Sequence, residues 1–370
     1  MKRLRHVYIG VGAGIFKGRH KEVLDLPTLE VVGVSDIDAD AARERGESLG
    51  VPHWVDHREM LEALKPDVAV ITTPHWFHAP IAIDCLNAGA HVLTEKPLAV
   101  KVSEADAVIE AAERNNKLVG ITFQQRYRSD SKTAKRIIEE GILGRIQHVD
   151  MIVPWPRTKF YFTNKPWSGS WSGEGGGVLI NQAPHNLDHL VYLMGLPKRL
   201  FAWTRNLVHD IETEDTVQAM CEWEGGAIGS VHISTAEAGR EERLEIVGSK
   251  GTMKVVKDKS FTVTLLEEDF RDYVLRPGVT TKSPETTEMG INMEDGAGSH
   301  REVYQNFHSA ILNGTPLLIG AQEGRMEVEL SNAMTLSSFR KAEVRFPLDR
   351  GEVDTLFDEL IAGQHPVKDL

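Results

Sequence analysis

VYIGVGAG, residues 7–14, carries the first apolar run of the chain and breaks it into Gly10-Val11-Gly12-Ala13-Gly14. β-branched and aromatic residues followed at once by glycines read as a strand that turns sharply into a helix. Such a turn lets backbone N–H groups at the helix start approach a pyrophosphate. A second apolar run, residues 29–35, closes on Asp36, whose carboxylate can accept hydrogen bonds from an adenosine ribose. The glycines alone also fit a ligand-free tight turn; strand, helix and Asp36 together favour a dinucleotide. Strict G-x-G-x-x-G spacing would put the third glycine at Ile15, whereas Gly14 falls one residue early and Gly18 three late. A variant loop is therefore expected, with Gly10, Gly12, Gly14, Ile15 and Phe16 against the cofactor. Asp36-Ile37-Asp38 brings no adjacent cation and would repel a 2′-phosphate, which favours NAD over NADP.

Outward from this turn, β-rich runs at 7–11, 29–35, 68–72, 91–94 and 118–122 alternate with helical patterns at 38–49, 58–64, 81–87 and 103–115. That alternation is the mark of βαβ units, so residues 1–123 are expected to form a Rossmann domain, a doubly wound parallel sheet. The pattern changes near Gln124. Residues 124–370 are expected to form a second, α+β domain: helix 131–140, strand 145–153, an irregular aromatic stretch, and helix 183–194. An antiparallel meander over 200–273 follows, one face covered by helices. Residues 276–299 read as a long loop, followed by helices at 302–312 and 322–339 and a last strand at 344–347.

Composition narrows the function. Of 370 residues, 41% are hydrophobic and 26% charged, which fits an ordinary globular protein. The net charge of −12 is spread over short acidic stretches, which argues against a nucleic-acid partner. Cys85 and Cys221 lie far apart among apolar neighbours, so neither a disulfide framework nor a cysteine zinc site is expected, and a reducing cytoplasm fits. The MKRLRHVYIG start has no apolar run of signal length, and no stretch approaches ~18 apolar residues, so no membrane association is expected.

Three further motifs carry chemistry. TTPHWFHAP, residues 72–80, sits at a strand's carboxyl end, where ligands bind in such sheets, and places Thr73, Pro74, His75 and His78 to touch the cofactor. A strand-to-helix turn with an incidental histidine cap is the plainer reading. Glu95-Lys96-Pro97 closes the next strand; Lys96 can present an ammonium to the cleft, and its bond to Pro97 can be cis. A solvent-facing turn is the alternative. PWPRTKFYFTNKPWSGSWSG, residues 154–173, interleaves Trp155, Arg157, Lys159, Tyr161, Trp167 and Trp171. Aromatic faces among cations and amides suit a sugar's apolar faces and hydroxyl rim. Packing within the protein or a subunit contact explains the same aromatics equally well. Gln124 joins the cofactor set, and Arg126 and Tyr127, where the two domains join, are placed for substrate.

The combination of the glycine turn, Thr73-Pro74 with His78, AGAHVLTEKPLA (residues 88–99) and GGGVLINQAPHNLDHLVYLMG (residues 175–195) resembles the glucose-fructose oxidoreductase / inositol dehydrogenase / MocA family from end to end. The resemblance implies a Rossmann domain followed by a domain with a large, mostly antiparallel open sheet, whose outer face builds homodimers or homotetramers. It implies a nicotinamide cofactor and a polyol, sugar or cyclitol substrate. It places Lys96 between nicotinamide and substrate, and makes His185 the proton-transfer residue. Many members have aspartate where this chain has Asn181, which can hydrogen-bond to a hydroxyl but cannot accept its proton.

The residues support that chemistry. Oxidising a secondary alcohol needs a base of near-neutral pKa for the hydroxyl proton, and imidazole qualifies. A lysine ammonium polarises the same oxygen. His185, Asp188 and His189 have helical metal-ligand spacing, but no Cys or Glu partner is evident, and no metal is expected. Two alternatives remain: NAD-assisted glycoside cleavage through transient oxidation and elimination, and a non-catalytic sugar or dinucleotide sensor.

Overall fold

The computed structural model describes residues 2–18, 20–165, 167–278 and 280–365. The chain divides into two compact units. The first comprises residues 1–127, 173–175 and 298–329; the second comprises 128–172, 176–297 and 330–370. The sequence expects one boundary, at 123/124, but the chain crosses between units several times.

The first unit is built on β1 (Leu4–Ile9), β2 (Leu29–Ser35), β3 (His53–Trp54), β4 (Val68–Ile71), β5 (His91–Thr94) and β6 (Val119–Ile121). Every adjacent pair is parallel and the order is β3-β2-β1-β4-β5-β6. Their apolar runs follow from burial on both faces: Val68, Ala69, Val70 and Ile71 are all fully buried. Between them run α1 (Gly14–Gly18), α2 (Ala39–Leu49), α3 (His57–Leu64), α4 (His78–Asn87) and α5 (Val102–Asn115). Asp38 starts α2 by accepting from the backbone of Asp40 and Ala41, and Gly50 ends it in the left-handed region (φ 66°). The order reverses between β1 and β4, which sets a switch point at their carboxyl ends.

A late segment also belongs to this unit. On α11 (His300–Asn313), Phe307 packs so close to β6 that a side chain at Gly120 would meet its ring at 2.9 Å. The same helix brings the Tyr304 hydroxyl to Tyr8 (3.4 Å) and the His308 Nε2 to His6 Nε2 (3.0 Å).

The second unit opens with α6 (Ser129–Glu139), β7 (Ile146–Pro154), α7 (Lys159–Thr163), α8 (Val178–Asn181) and α9 (Pro184–Met194). Then come β8 (Arg199–Arg205), β9 (Thr216–Glu222), β10 (Ile228–Ser234), β11 (Arg243–Gly248), β12 (Gly251–Val256) and β13 (Ser260–Leu266). After α10 (Phe270–Tyr273) and β14 (Thr286–Glu288), the long helix α12 (Ala321–Arg340) enters from the first unit. β15 (Val344–Arg345) and α13 (Arg350–Ile361) finish it. The sheet order is β14-β13-β12-β11-β7-β10-β9-β8-β15, and only the β7–β10 pair is parallel.

Alternation along these strands separates two faces. Leu200, Ala202, Val217, Ala219, Val231 and Ile233 are buried on one, and there the Ser337 and Ser338 hydroxyls of α12 accept from the backbone of Ala202 (2.9 Å) and Thr204 (2.8 Å). The other face shows Trp203, Met220 and Ile228, each about half exposed at 45%, 49% and 51%. Two elements correct the sequence expectation. The expected loop at 276–299 contains β14, an edge strand of three exposed residues with no apolar signal, and the last strand is only two residues long. No described helix is long and apolar enough to cross a membrane.

Candidate active site

In the first unit the expected cofactor residues gather at the carboxyl ends of the strands. Gly10 follows β1 with φ 88°, and a Cβ there would fall 2.8 Å from Thr73 Cγ2 and 2.9 Å from the Thr73 nitrogen, so only glycine fits. The Thr72 hydroxyl donates to the carbonyls of Ile9 (3.0 Å) and Gly10 (2.8 Å), tying the β4 end to the glycine turn. Asp36 closes the loop from the other side: its Oδ2 accepts from the Gly12 N–H (2.7 Å) and its Oδ1 from the Asp38 N–H (3.0 Å). Gly14 starts α1 facing open space, so it does not supply the close helix packing of a third fingerprint glycine. The side chain of Ile15 lies outside those described.

Three expected residues are held differently from the expectation. The Phe16 ring is buried edge-on against Tyr8 (5.0 Å) beneath the Arg45 guanidinium (4.8 Å), so it is a core residue and brings only backbone to the loop. His78 is fully buried with both ring nitrogens against backbone carbonyls, Nδ1 at Pro97 (2.6 Å) and Nε2 at Thr73 (2.8 Å). It braces two loops of the edge to one another. Burial pushes its pKa below the ordinary value, and the nearby Lys96 charge acts in the same direction, against the two carbonyl contacts. His75, also buried, points Nδ1 at the Glu174 carbonyl (3.0 Å).

Lys96 is half-buried in the turn after β5, and its bond to Pro97 is cis. The preceding Glu95 is buried beside His300 Nε2 (3.4 Å). Gln124, Arg126 and Tyr127 form a short helical turn after β6, and the Tyr127 hydroxyl donates to Asn306 (2.9 Å). Four buried polar atoms of this unit, Ser35 Oγ, Thr73 Oγ1, Thr122 Oγ1 and Gln124 Oε1, have no hydrogen-bond partner among the described residues. All four follow or end β2, β4 or β6. Leaving such groups unpaired costs about 1–3 kcal/mol each, so an edge that gathers them suits a polar ligand. With the glycine cradle and Asp36, these residues fit a dinucleotide.

In the second unit the site forms around α8 and α9. Glu214 is buried, and its Oε1 accepts from the Gly177 (3.0 Å) and Leu179 (3.0 Å) N–H groups, satisfying donors at the α8 start. A Cβ at Gly177 would lie 1.9 Å from the Glu214 carbonyl oxygen, so that approach requires glycine. Asn181 ends α8, and His185 is the second residue of α9. The Asn181 and Gln182 amides both donate to the Tyr161 hydroxyl oxygen (3.2 Å each). The phenol thus acts as acceptor twice, and its own O–H is left to be donated elsewhere.

Glu242, just before β11, anchors the neighbouring turn: its carboxylate accepts from Asn186 Nδ2 (2.9 Å), Lys257 Nζ (3.1 Å) and Trp155 Nε1. Lys257 also lies over the Trp155 ring, 4.4 Å from its centroid. Trp171, expected at the substrate, is instead buried against Phe339 (5.9 Å) and Phe357 (6.1 Å); its large apolar ring fills the core. Trp167 stays half-exposed beside Lys165 (5.1 Å). Asp188 is fully buried, and among the described residues no group of three or more His, Cys, Asp or Glu is arranged to hold a metal. Gln182, Asn186, Glu242 and Lys257 were not anticipated as part of this site. Only chain neighbourhood, Gln182 beside Asn181 and Asn186 beside His185, could have flagged any of them.

Comparison with known proteins agrees with this geometry. Residues 4–123 match the profile of an oxidoreductase family with an NAD-binding Rossmann fold, and residues 131–254 match the C-terminal domain of the same family. The chain belongs to the GFO/IDH/MocA family. It is 25% identical to a myo-inositol 2-dehydrogenase of Thermotoga maritima over 90% of this chain and 97% of that one. It is 23% identical to a scyllo-inositol 2-dehydrogenase (NAD(+)) of Bacillus subtilis, over 91% and 94%. The WlbA dehydrogenase of Bordetella pertussis, solved with NADH and UDP-GlcNAcA, superposes with a TM-score of 0.80 at 25% identity, covering 94% of this chain and all of that one. This chain is thus an oxidoreductase of an NAD-binding family that includes cyclitol dehydrogenases.

Proposed function

We propose that the protein transfers hydride between NAD(H) and a secondary hydroxyl or ketone of a sugar or cyclitol. The observation that carries this reading is the set of hydrogen-bonding groups around α8 and α9: Tyr161, Asn181 and Gln182, with His185 at the start of the next helix. Bound nicotinamide supplies a hydride acceptor or donor. His185 takes the proton from the reacting hydroxyl, and the Lys96 ammonium stabilises the alkoxide character of its oxygen. Asn181 gives one of its amide N–H groups to Tyr161 (3.2 Å) and, as an amide, takes no proton, so its role is to orient a hydroxyl through hydrogen bonding. Asp36 would hold the adenosine ribose, and the carboxylates at 36, 38 and 40 favour NAD over NADP.

The experiment is a screen of sugars, cyclitols and their ketones with NAD(H) and NADP(H), read by NADH absorbance. Net NADH release supports the reading, and absence of turnover across the panel refutes it. Cleavage of a glycoside with no net NADH would instead favour oxidation and elimination. The half-exposed Trp203, Met220 and Ile228 on adjacent strands further support assembly of the protein into homodimers or homotetramers through that sheet face.

A further inference from the structure

Residues 155–173 hold Arg157, Lys159 and Lys165 and not one carboxylate, in a chain whose net charge is −12. Two of these cations flank the ring whose hydroxyl meets Asn181 and Gln182. The Arg157 guanidinium lies 5.0 Å from the Tyr161 centroid, and Lys165 Nζ lies 5.6 Å from the same point and 5.1 Å from that of Trp167. Neither cation is ion-paired to a carboxylate among the described residues, whereas Lys257 nearby is paired to Glu242.

The placement of Arg157 is fixed by its backbone. Its N–H donates to the Thr235 carbonyl (3.0 Å), and its own carbonyl faces His209 Nε2 (3.0 Å). His209 is held in turn by Asp215 (3.0 Å). Burial alone would raise the Asp215 carboxyl, but the N–H groups of Leu207, His209 and Val208 hold it below its ordinary range. Of the guanidinium nitrogens only Nη1 is engaged, by the Trp155 and Pro156 carbonyls, and Nε is buried with no acceptor among the described residues. A half-buried, preset cation whose fork is largely unsatisfied lacks an anionic oxygen partner.

We propose that the substrate is an acidic carbohydrate, its carboxylate or phosphate bound by Arg157 and Lys165 beside Tyr161. This deepens the sugar-oxidoreductase reading and rests on it for the identity of the site. Arg157 supplies directional donors, Lys165 a mobile charge, and the Tyr161 and Trp167 rings a partly desolvated surface against which the attraction is weakly screened.

The test uses matched ligands: glucose and galactose against glucuronate and galacturonate, and against the corresponding hexose phosphates. Calorimetric binding to the NADH-loaded protein reads recognition without turnover, and NADH formation from NAD reads chemistry separately. At least one acidic class should bind about tenfold or more tightly than its neutral partner, with a Kd that weakens as salt rises. The better of the uronate and phosphate arms identifies the source of the charge. Arg157→Gln with Lys165→Gln should bring the acidic-over-neutral preference down to about 1, and Arg157→Lys should keep part of it; retained NADH binding verifies folding. Equal binding of acidic and neutral partners, no binding by either acidic class, or a double variant that weakens both partners alike would overturn the proposal. Acidic binding without turnover would instead sink the oxidoreductase reading and leave the charge recognition standing. Turnover of neutral sugars without acidic preference would do the reverse.

Discussion

Acidification should loosen α11 from the first unit, and the His6–His308 pair sets the pH at which it does so. The pair allows one arrangement of protons while neutral. His6 Nδ1 faces the Leu4 carbonyl (2.9 Å) and must donate, so its Nε2 accepts from His308 Nε2 (3.0 Å). The Nδ1 of His308 is then left to accept from the Thr28 hydroxyl (2.8 Å). A further proton on His6 would set two N–H groups against each other, and one on His308 would force the Thr28 hydroxyl to turn from donor to acceptor. Burial pushes His6 down to about 3, with the His308 charge adding to the effect, and burial pushes His308 down to about 4.

Both folded values lie below the unfolded value near 6.5, so the unfolded chain takes up protons that the folded one refuses. Stability is therefore intact above pH 6.5 and falls as pH drops from there toward the folded values. At pH 4.5, roughly two pH units into that window, each ring contributes a loss of about 2–3 kcal/mol. The assay is hydrogen exchange of α11 peptides between pH 7 and 4.5, corrected for intrinsic rates, in the native protein and in His6→Gln/His308→Gln. The native protein should lose protection in α11, and the double variant should show a flatter profile from a lower starting point. Parallel profiles, or full α11 protection in the native protein at pH 4.5, would refute the argument.

Lys96→Ala and His185→Ala should each lower turnover by at least ~100-fold with dinucleotide binding retained; near-native rates in either would remove that residue from the mechanism. Asp36→Ala should weaken NAD binding and narrow the gap to NADP, measured by fluorescence titration, and unchanged affinities would exclude a ribose contact. Tyr161→Phe removes the oxygen to which Asn181 and Gln182 donate, and should reduce kcat/KM by about tenfold, as expected for roughly 1–1.5 kcal/mol of hydrogen bonding. Trp203→Glu with Met220→Glu should yield a monomer by light scattering if the exposed sheet face joins subunits, and an unchanged mass would place the interface elsewhere.

The Rossmann strands are legible because residues such as Val68 to Ile71 must be apolar on both faces, giving unbroken runs that no amphipathic helix shares. Asn181 and His185 enter as candidates because one short segment, residues 175–195, carries both and resembles the family. Tyr161 appears in the sequence only as one aromatic among several, and what distinguishes it is the pair of amides that it meets. Glu242 was beyond reach: its partners Trp155, Asn186 and Lys257 are scattered over about a hundred residues, and no local pattern encodes their convergence. Phe16, His78 and Trp171 show the opposite failure. Place in a loop together with residue type marked them as ligand contacts, but a ring's environment depends on neighbours such as Tyr8, Pro97 and Phe357. The final helix α13 lies outside the sequence expectation although Val353, Leu356, Phe357 and Leu360 recur at helical spacing, a signal that is local.

The lone parallel pairing of β7 with β10 has a consequence for biosynthesis. β7 leaves the ribosome well before either strand that flanks it, since β10 and β11 are both encoded downstream of β8 and β9. Until β10 has emerged, a nearly continuous run from Val149 to Val153 must wait with both backbone edges unpaired, and its second edge waits for β11, which ends at residue 248. Premature termination between 154 and 228 therefore leaves a sticky strand without its neighbours, and fragments of that kind should precipitate or bind chaperones.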